Sequence, residues 1–231
     1  YVIFPTISTF GTTNTLIGFK NKERINKLFI KAAKIGNIQQ IKYFINLGAN
    51  VNAKNRHGDT ALHTAIWQGD VKTVEALLEA RPDVNAEDNS GRVALHIAAD
   101  TGHKEIVELL ISRQANVDAI DYNNSTALHI AAFKGYVEIV KELVNARANV
   151  NATVCEGWTA LHIAAFEGNV EIVKELVNVG ANVNAVCSDG WTALEIASFK
   201  GHQEIKVLFD RGTTIKEAFE RCLNLCCICT S

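Results

Sequence analysis

The sequence predicts an all-α solenoid built from stacked helix-turn-helix units that are joined by hairpin loops. Three series of residues recur along the 231 residues with a period of 33. They are a four-residue box, a glycine that follows each box, and an Asn-Ala or Asp-Ala pair that recurs from Asn52 to Asn184. A fixed period of this length is the sequence signature of repeat proteins. The boxes start at Thr60, Val93, Thr126, Thr159 and Thr192, and the glycines are Gly36, Gly69, Gly102, Gly135, Gly168 and Gly201.

One period, residues 121–153, has the pattern of two short antiparallel helices. Thr126 can cap the first helix, because a threonine hydroxyl accepts a hydrogen bond from a backbone N–H at a helix start. Gly135 permits a tight turn, since glycine adopts positive φ easily, and a second helix follows from about Tyr136. Neither helix can bury its apolar face alone, so the units must stack to be stable. The apolar positions are Leu128, Ile130, Ala131 and Ala132, then Val137, Ile139, Val140, Leu143 and Val144.

These residues carry a resemblance to a known family. The period and the pattern T-A-L-H-x-A-A … G … E-I-V-x-x-L-V … G-A-N-V-N-A closely resemble the ankyrin repeat over about residues 22–212. The resemblance implies an ankyrin-repeat α-solenoid without catalytic function, whose concave face of hairpin tips and first helices binds a partner protein. Alanine stands where the family usually has proline after the threonine of the box. Proline preorganises a helix start but is not essential there.

The glycine that ends each second helix in the family is kept only at Gly48 and Gly180. Arg81, Gln114 and Arg147 replace it in the other repeats. We expect these three residues to adopt the left-handed conformation, at a cost of roughly 1 kcal/mol each. The loops that contain them are therefore predicted to be the softer ones.

The period also predicts the domain organisation. Residues 1–21 form an N-terminal extension, predicted to be poorly ordered, and the repeat domain spans residues 22–219. Its first unit, 22–54, is a cap, since it lacks the box and places Lys27, Lys31 and Lys34 on its remaining face. Residues 55–87, 88–120, 121–153, 154–186 and 187–212 are repeats 1 to 5, and the fifth is one residue short. Segment 213–231 is predicted to hold a capping helix, from about 215 to 228, and a tail.

Histidines are the first residues that suggest chemistry. Four of the seven occupy the box, at His63, His96, His129 and His162. The resemblance implies structural hydrogen bonds for them near the loops. No glycine-rich phosphate loop, nucleophile elbow or paired carboxylate occurs elsewhere. We therefore predict no enzyme, no catalytic residue, no cofactor and no metal site.

Cysteines leave several alternatives open. For those at the C-terminus, the alternatives are zinc binding, reversible palmitoylation, and packing of Cys222 and Cys226 on the capping helix, and packing is favoured. A disulfide between Cys155 and Cys187, on successive loops, is not favoured in a reducing cell. The C-terminal cysteines are Cys222, Cys226, Cys227 and Cys229.

Charge and cysteine usage limit the setting of the protein. A net charge of −2 gives no electrostatic reason to expect nucleic acid as a partner. Residues 1–18 are uncharged but too polar for a membrane span, and no signal peptide is visible. No cysteine falls in the first 154 residues, which favours the reducing cytoplasm. We expect the chain to be monomeric. The chain begins at Tyr1 and contains no methionine, so we interpret it as a segment of a longer or processed product.

The variable positions of each repeat predict the residues that bind the partner. They flank the hairpin glycine and precede the turn glycine, and they include all three tryptophans. Aromatic side chains dominate binding hot spots, so this pattern indicates protein binding. An alternative for the phenylalanines, and less so for the tryptophans, is packing against neighbouring repeats. The predicted binding residues are Arg56, Trp67, Arg92, Tyr122, Phe133, Lys134, Trp158, Phe166, Trp191 and Phe199.

The sequence therefore favours a scaffold for protein–protein interactions. Two other settings remain open, namely the ankyrin region of a secreted effector or toxin and the recognition arm of a larger multidomain protein. An enzyme would need a catalytic domain outside these residues.

Overall fold

A computed structural model describes residues 16–209 of the chain, with side chains from residue 21 onwards. These residues form helices joined by turns and hairpins, with no strand beyond two isolated bridges. The prediction of an all-α stack is therefore confirmed. The helices are α1 Leu16–Lys34, α2 Ile38–Asn46, α3 Ala61–Gln68, α4 Val71–Glu79, α5 Ala94–Thr101, α6 Lys104–Ser112, α7 Ala127–Lys134, α8 Val137–Asn145, α9 Ala160–Glu167, α10 Val170–Asn178, α11 Ala193–Lys200 and α12, residues 203–209.

Repeat 3 shows how the local sequence sets the helix ends. Thr126 occupies the cap position of α7, as predicted, and its backbone N–H donates to Nδ1 of His129 at 3.2 Å. Gly135 ends this helix with a φ of 76°, in the left-handed region that glycine adopts at little cost. Helix α8 then begins at Val137, one residue after the predicted start, and buries Ile139, Val140 and Leu143.

The units stack in two rows. First helices pack on the first helices of adjacent repeats more closely than second helices pack on each other. Small buried residues such as Ala131 and Ala132 allow this close approach. The stack therefore curves towards the first helices, and one hydrophobic core runs through it from Phe29 to Phe209.

The second helices end in the left-handed conformation, as predicted, even where glycine is absent. The φ angles are 52° at Arg81, 64° at Gln114 and 66° at Arg147, against 80° at Gly48 and 91° at Gly180. Residues with a Cβ are strained in this region. The turns at Arg81, Gln114 and Arg147 are therefore slightly strained, whereas the turns at Gly48 and Gly180 are not.

A ladder of side chains connects successive loops. Oδ1 of Asn52 accepts a hydrogen bond from the backbone N–H of Asp83, 31 residues further on, at 2.8 Å. The same bond recurs one, two and three repeats later, with distances of 2.7–2.8 Å. These bonds connect the loop that follows the second helix of each unit to the corresponding loop of the next unit. The later pairs are Asn85 with Asn116, Asp118 with Asn149, and Asn151 with Asn182.

The ends of the stack differ from the regular repeats. Helix α1 begins at Leu16, so the predicted boundary at residue 22 falls inside a helix. Lys27, Lys31 and Lys34 are exposed on it while Phe29 is buried, which is the pattern expected of a cap. The predicted capping helix over residues 215–228, with the four C-terminal cysteines, lies outside the described residues.

Candidate protein-interaction face

A hairpin precedes each first helix. In repeats 2 and 3, the side chain of the first hairpin residue accepts hydrogen bonds from the backbone of the tip. In repeat 2, Oδ1 of Asp88 accepts from the backbone N–H groups of Ser90 at 2.7 Å and Arg92 at 3.0 Å. In repeat 3, Oδ1 of Asp121 accepts in the same way from Asn123 and Ser125, at 2.8 and 2.9 Å. An aspartate that bonds its own backbone two residues on favours such a turn.

Repeats 4 and 5 have lost this carboxylate. Val154 and Cys187 occupy its position, and neither side chain can accept these bonds in the same way. The tip of repeat 4, Cys155–Gly157, instead forms a short 3₁₀ turn in which Glu156 has a φ of 62°. Sequence reasoning missed this turn, and the loss of the carboxylate does not signal it, since Cys187 in repeat 5 is followed by an ordinary turn.

Charged residues in the first repeats of the face are paired with each other. Nε and Nη2 of Arg92 donate to the same oxygen of Asp88, at 2.9 and 2.7 Å. Burial raises the pKa of Asp88, but the hydrogen bonds from Arg92 and the backbone outweigh it and hold the pKa below its usual range. The guanidinium of Arg92 also lies 5.4 Å from the ring centre of Trp67.

A second pair joins repeats 2 and 3. Nζ of Lys134 lies 2.9 Å from Asp100, and the hydrogen bond to this carboxylate raises the pKa of the lysine. Both residues line a cleft of about 570 Å³ together with Phe133 and Ile163. The polar part of the face is therefore largely satisfied within the protein.

Aromatic residues dominate the last two described repeats. The ring of Trp158 meets Phe166 edge to face, with centroids 5.6 Å apart, and Trp191 meets Phe199 at the same distance. Nζ of Lys200 lies 3.9 Å above the ring centre of Phe166. We call Trp158, Phe166, Trp191 and Phe199 the aromatic patch. Two tryptophan–phenylalanine pairs, from successive repeats, thus stand in the same arrangement.

Exposure decides between packing and surface roles for these rings. Phe199 is 78% exposed, Phe133 57% and Trp191 41%. Phe166 is 38% exposed because Trp158 and Lys200 contact it. Trp158 itself is half-buried and also faces His162 at 6.1 Å. These exposures argue against packing of Phe133 and Phe199 on neighbouring repeats. Trp158 is less exposed than Trp191, the tryptophan at the same position in repeat 5.

Two predicted residues lie at the hairpin tips. Nε of Arg56 donates to Nε2 of His57 at 2.9 Å, and both side chains are exposed. Tyr122 is exposed as well, and its ring lies where a Cβ on Gly91 would collide with it. The structure therefore places all ten predicted residues on the hairpins or at the ends of first helices, with the aromatic patch as their densest part.

The box histidines have structural roles, as predicted. In each box Nδ1 accepts from the backbone N–H of the cap residue, at 3.0–3.2 Å. Nε2 of His96, His129 and His162 contacts a backbone carbonyl in the following loop, at 2.9–3.1 Å. Since Nδ1 accepts, Nε2 carries the proton and each ring is neutral. Burial lowers the pKa of all four, which favours the same neutral form.

Other chemical features are limited. Within residues 21–209, no three His, Cys, Asp or Glu side chains come close enough to hold a metal ion. Cys155 and Cys187 are free thiols, and Sγ of Cys155 donates to the carbonyl of Asn123 at 3.3 Å. Over the same part of the chain, no helix combines the length and apolar character that a bilayer crossing requires.

The stacked helix pairs, hairpins and neutral box histidines define a helical repeat protein with a polar and an aromatic surface. The family model described as ankyrin repeats matches the chain in three copies, over residues 8–88, 73–154 and 146–217. The chain therefore belongs to the ankyrin-repeat family. A search of curated proteins gave no match. Ankyrin repeats are in general modules for protein–protein interaction and are typically not enzymes.

Proposed function

We propose that this chain captures a partner protein on its concave face, with the aromatic patch as the principal anchor. The observation that carries the proposal is the exposure of the phenylalanine in each tryptophan–phenylalanine pair, above all that of Phe199. Large apolar side chains grouped on a surface mark interaction sites more often than single exposed residues do. Aromatic anchors in the centre of an interface supply much of its binding energy.

The scaffold beneath the patch is closely packed. Helix α9 buries Ala164 and Ala165 completely, and its cap residue Thr159 is held by the imidazole of His162. Rings mounted on packed helices lose little conformational freedom on binding, which favours affinity. The proposal treats the chain as a cytoplasmic monomer that acts as a scaffold and performs no catalysis itself.

The test compares wild type with variants that remove exposed rings. The full chain, Trp191→Ala and Phe199→Ala are immobilised, and the proteins captured from a cell lysate are quantified by mass spectrometry. Specific partners should fall at least tenfold on each variant, because a central aromatic anchor typically contributes about 2 kcal/mol or more. Tyr43→Ala, which removes an exposed ring from the second-helix row, is the control and should keep its partners.

Thermal unfolding separates binding from folding. Phe199 is mostly exposed, so Phe199→Ala should melt like wild type within about 2 °C. Trp158→Ala loses a half-buried ring and its contact with Phe166, so some loss of stability is expected there. If both Trp191→Ala and Phe199→Ala retain every partner while remaining folded, the proposed site is wrong.

A further inference from the structure

Carboxylates flank the residues of the aromatic patch along the sequence, in a repeated arrangement. Glu156-Gly157-Trp158 in repeat 4 corresponds to Asp189-Gly190-Trp191 in repeat 5, so an acidic residue stands two positions before each tryptophan. Glu167 follows Phe166 at the end of α9, and Glu195 lies beside Trp191 and Phe199. All four carboxylates belong to exposed residues. Lys200 lies over Phe166 and Lys206 lies beside Trp191 and Phe199, so these four carboxylates outnumber the two lysines.

These carboxylates differ from those in the first repeats. Asp88 and Asp100 each have a basic partner within 3 Å. Within residues 21–209, by contrast, no basic side chain forms an ion pair with Glu156, Glu167 or Asp189. A partner that covered the patch with apolar side chains alone would bury unpaired carboxylates, which is costly. A partner that brings positive charges removes this cost.

A cation already lies on the patch. Nζ of Lys200 is centred 3.9 Å over Phe166, in the geometry of a cation–π contact. The neighbouring rings of Trp158, Trp191 and Phe199 have no cation over them among the described residues. Tryptophan attracts cations more strongly than phenylalanine does. The protein's own lysine therefore shows the kind of group that these rings accept.

We propose that the aromatic patch recognises a basic segment of the partner protein, whose Lys or Arg side chains lie on the tryptophans and pair with Glu156, Glu167 and Asp189. This inference rests on the proposed function and adds the chemistry of the partner. Aromatic rings supply the apolar contact, and the carboxylates select for positive charge and exclude acidic segments.

The experiment uses a display library of random sixteen-residue peptides, selected on the immobilised full chain at low and at high salt. Peptides whose binding is lost on Trp191→Ala define those that use the patch. Among them, Lys and Arg should be enriched at least threefold over the starting library, and binding should weaken at least tenfold between 50 and 500 mM NaCl. Enriched peptides that are neutral or acidic would overturn the inference while leaving the patch as a binding site.

Isosteric charge removal gives the matched control. The triple variant Glu156→Gln, Glu167→Gln and Asp189→Asn should bind the selected peptides at least tenfold more weakly than wild type. Removing three exposed carboxylates from the second helices, at Glu75, Glu79 and Glu105, changes the net charge equally and should leave binding within twofold. Equal losses of peptide binding in both triple variants would show that only the net charge of the protein matters, and would overturn the inference.

The two proposals fail in different ways. Selected peptides that bind Trp191→Ala and Phe199→Ala as tightly as wild type would show that the patch is not the binding site. A selection that enriches nothing would also contradict recognition of a linear basic segment. Recovery of sequences from residues 210–231 of this chain would identify the occupant as its own C-terminal segment or that of a second copy, which contradicts a separate partner.

Discussion

Repeats 3 and 4 are nearly the same unit with different surfaces. They are identical at 23 of 33 positions, and their second helices α8 and α10 have the same sequence. Five consecutive differences fall in the hairpin, where residues 121–125 correspond to 154–158. Apart from Asp121, which corresponds to Val154, the buried positions of repeat 3 are unchanged, so one apolar core serves both surfaces. Surface chemistry in this fold can therefore be exchanged without altering what holds the repeat together.

The hairpin difference reaches the backbone as well as the side chains. Asp121 is buried and accepts two backbone hydrogen bonds, whereas Val154 in repeat 4 offers no acceptor. The tip of repeat 4 adopts a 3₁₀ turn, and the residue that follows it is Trp158 instead of Ser125. The loss of one carboxylate thus accompanies the gain of one aromatic side chain.

The largest expected effect tests what the two repeats share, which is the buried neutral histidine. In the unfolded chain the box histidines titrate near an ordinary pKa of about 6.5, whereas burial lowers their pKa in the fold. The unfolded state therefore binds more protons below about pH 6.5, so the stability that is fully present above that pH is lost on acidification. The free energy of unfolding should fall by up to about 1.4 kcal/mol per pH unit for each histidine.

Urea unfolding followed by circular dichroism between pH 7.5 and 5.0 measures this slope. His129→Gln and His162→Gln should each flatten it by the same amount, because both rings make the same bonds. Glu195 holds the box position in repeat 5, and the N–H and hydroxyl of Thr192 lower the pKa of its carboxyl. Glu195→Gln should therefore leave the slope unchanged in this window. Clearly different slopes for the two histidine variants would break the equivalence of the repeats.

A smaller effect is expected where the repeats diverge. Asp121→Val gives repeat 3 the first hairpin residue of repeat 4 and leaves the N–H groups of Asn123 and Ser125 without their acceptor. The free energy of unfolding should fall by about 1–3 kcal/mol. Ser125→Ala keeps the backbone bonds and should change it by less than about 0.5 kcal/mol. Equal stability of Asp121→Val and wild type would show that the carboxylate does not hold the tip.

The smallest effect concerns the turn after the second helix, where repeat 3 has Arg147 and repeat 4 has Gly180. Arg147→Gly should stabilise the protein by about 0.5–1 kcal/mol, since glycine is not strained at positive φ. Gly180→Arg should destabilise it by a similar amount, and no neighbouring atom lies within 4 Å of the added Cβ. Chemical denaturation of both variants beside wild type checks the two signs, and a stabilised Gly180→Arg would contradict the strain argument.

Much of the fold follows from the period of the sequence. A repeating box with a following glycine specifies the helix ends, and the prediction that Arg81, Gln114 and Arg147 take left-handed φ needed only their place in that period. The structural role of the histidines, which occupy the same position in four of the five boxes, was implied by the resemblance to the ankyrin family. Local chemistry that repeats in register is readable because each copy has the same neighbours.

The exposure of the aromatic rings could not be predicted in this way. Phe133, Phe166 and Phe199 hold the same repeat position, yet their exposure ranges from 38% to 78%. What covers each ring is set by other positions, such as Trp158 and Lys200 over Phe166. Contacts between non-equivalent residues of adjacent repeats depend on three-dimensional packing, which the period does not encode. The start of α1 at Leu16 escaped prediction because that segment lacks the repeat pattern.

Because of the ladder of loop hydrogen bonds, the stack can change in length only by complete repeats of 33 residues. Each acceptor, such as Asp118, bonds a backbone N–H 31 residues ahead, and the same donor recurs every 33 residues. Deleting residues 121–153 would bring Asp118 into register with Asn182 in place of Asn149, and every remaining rung would keep its partner. Deleting one residue fewer would shift donor and acceptor out of alignment. Recombination between near-identical neighbours can therefore lengthen or shorten the stack by complete repeats without designing a new junction.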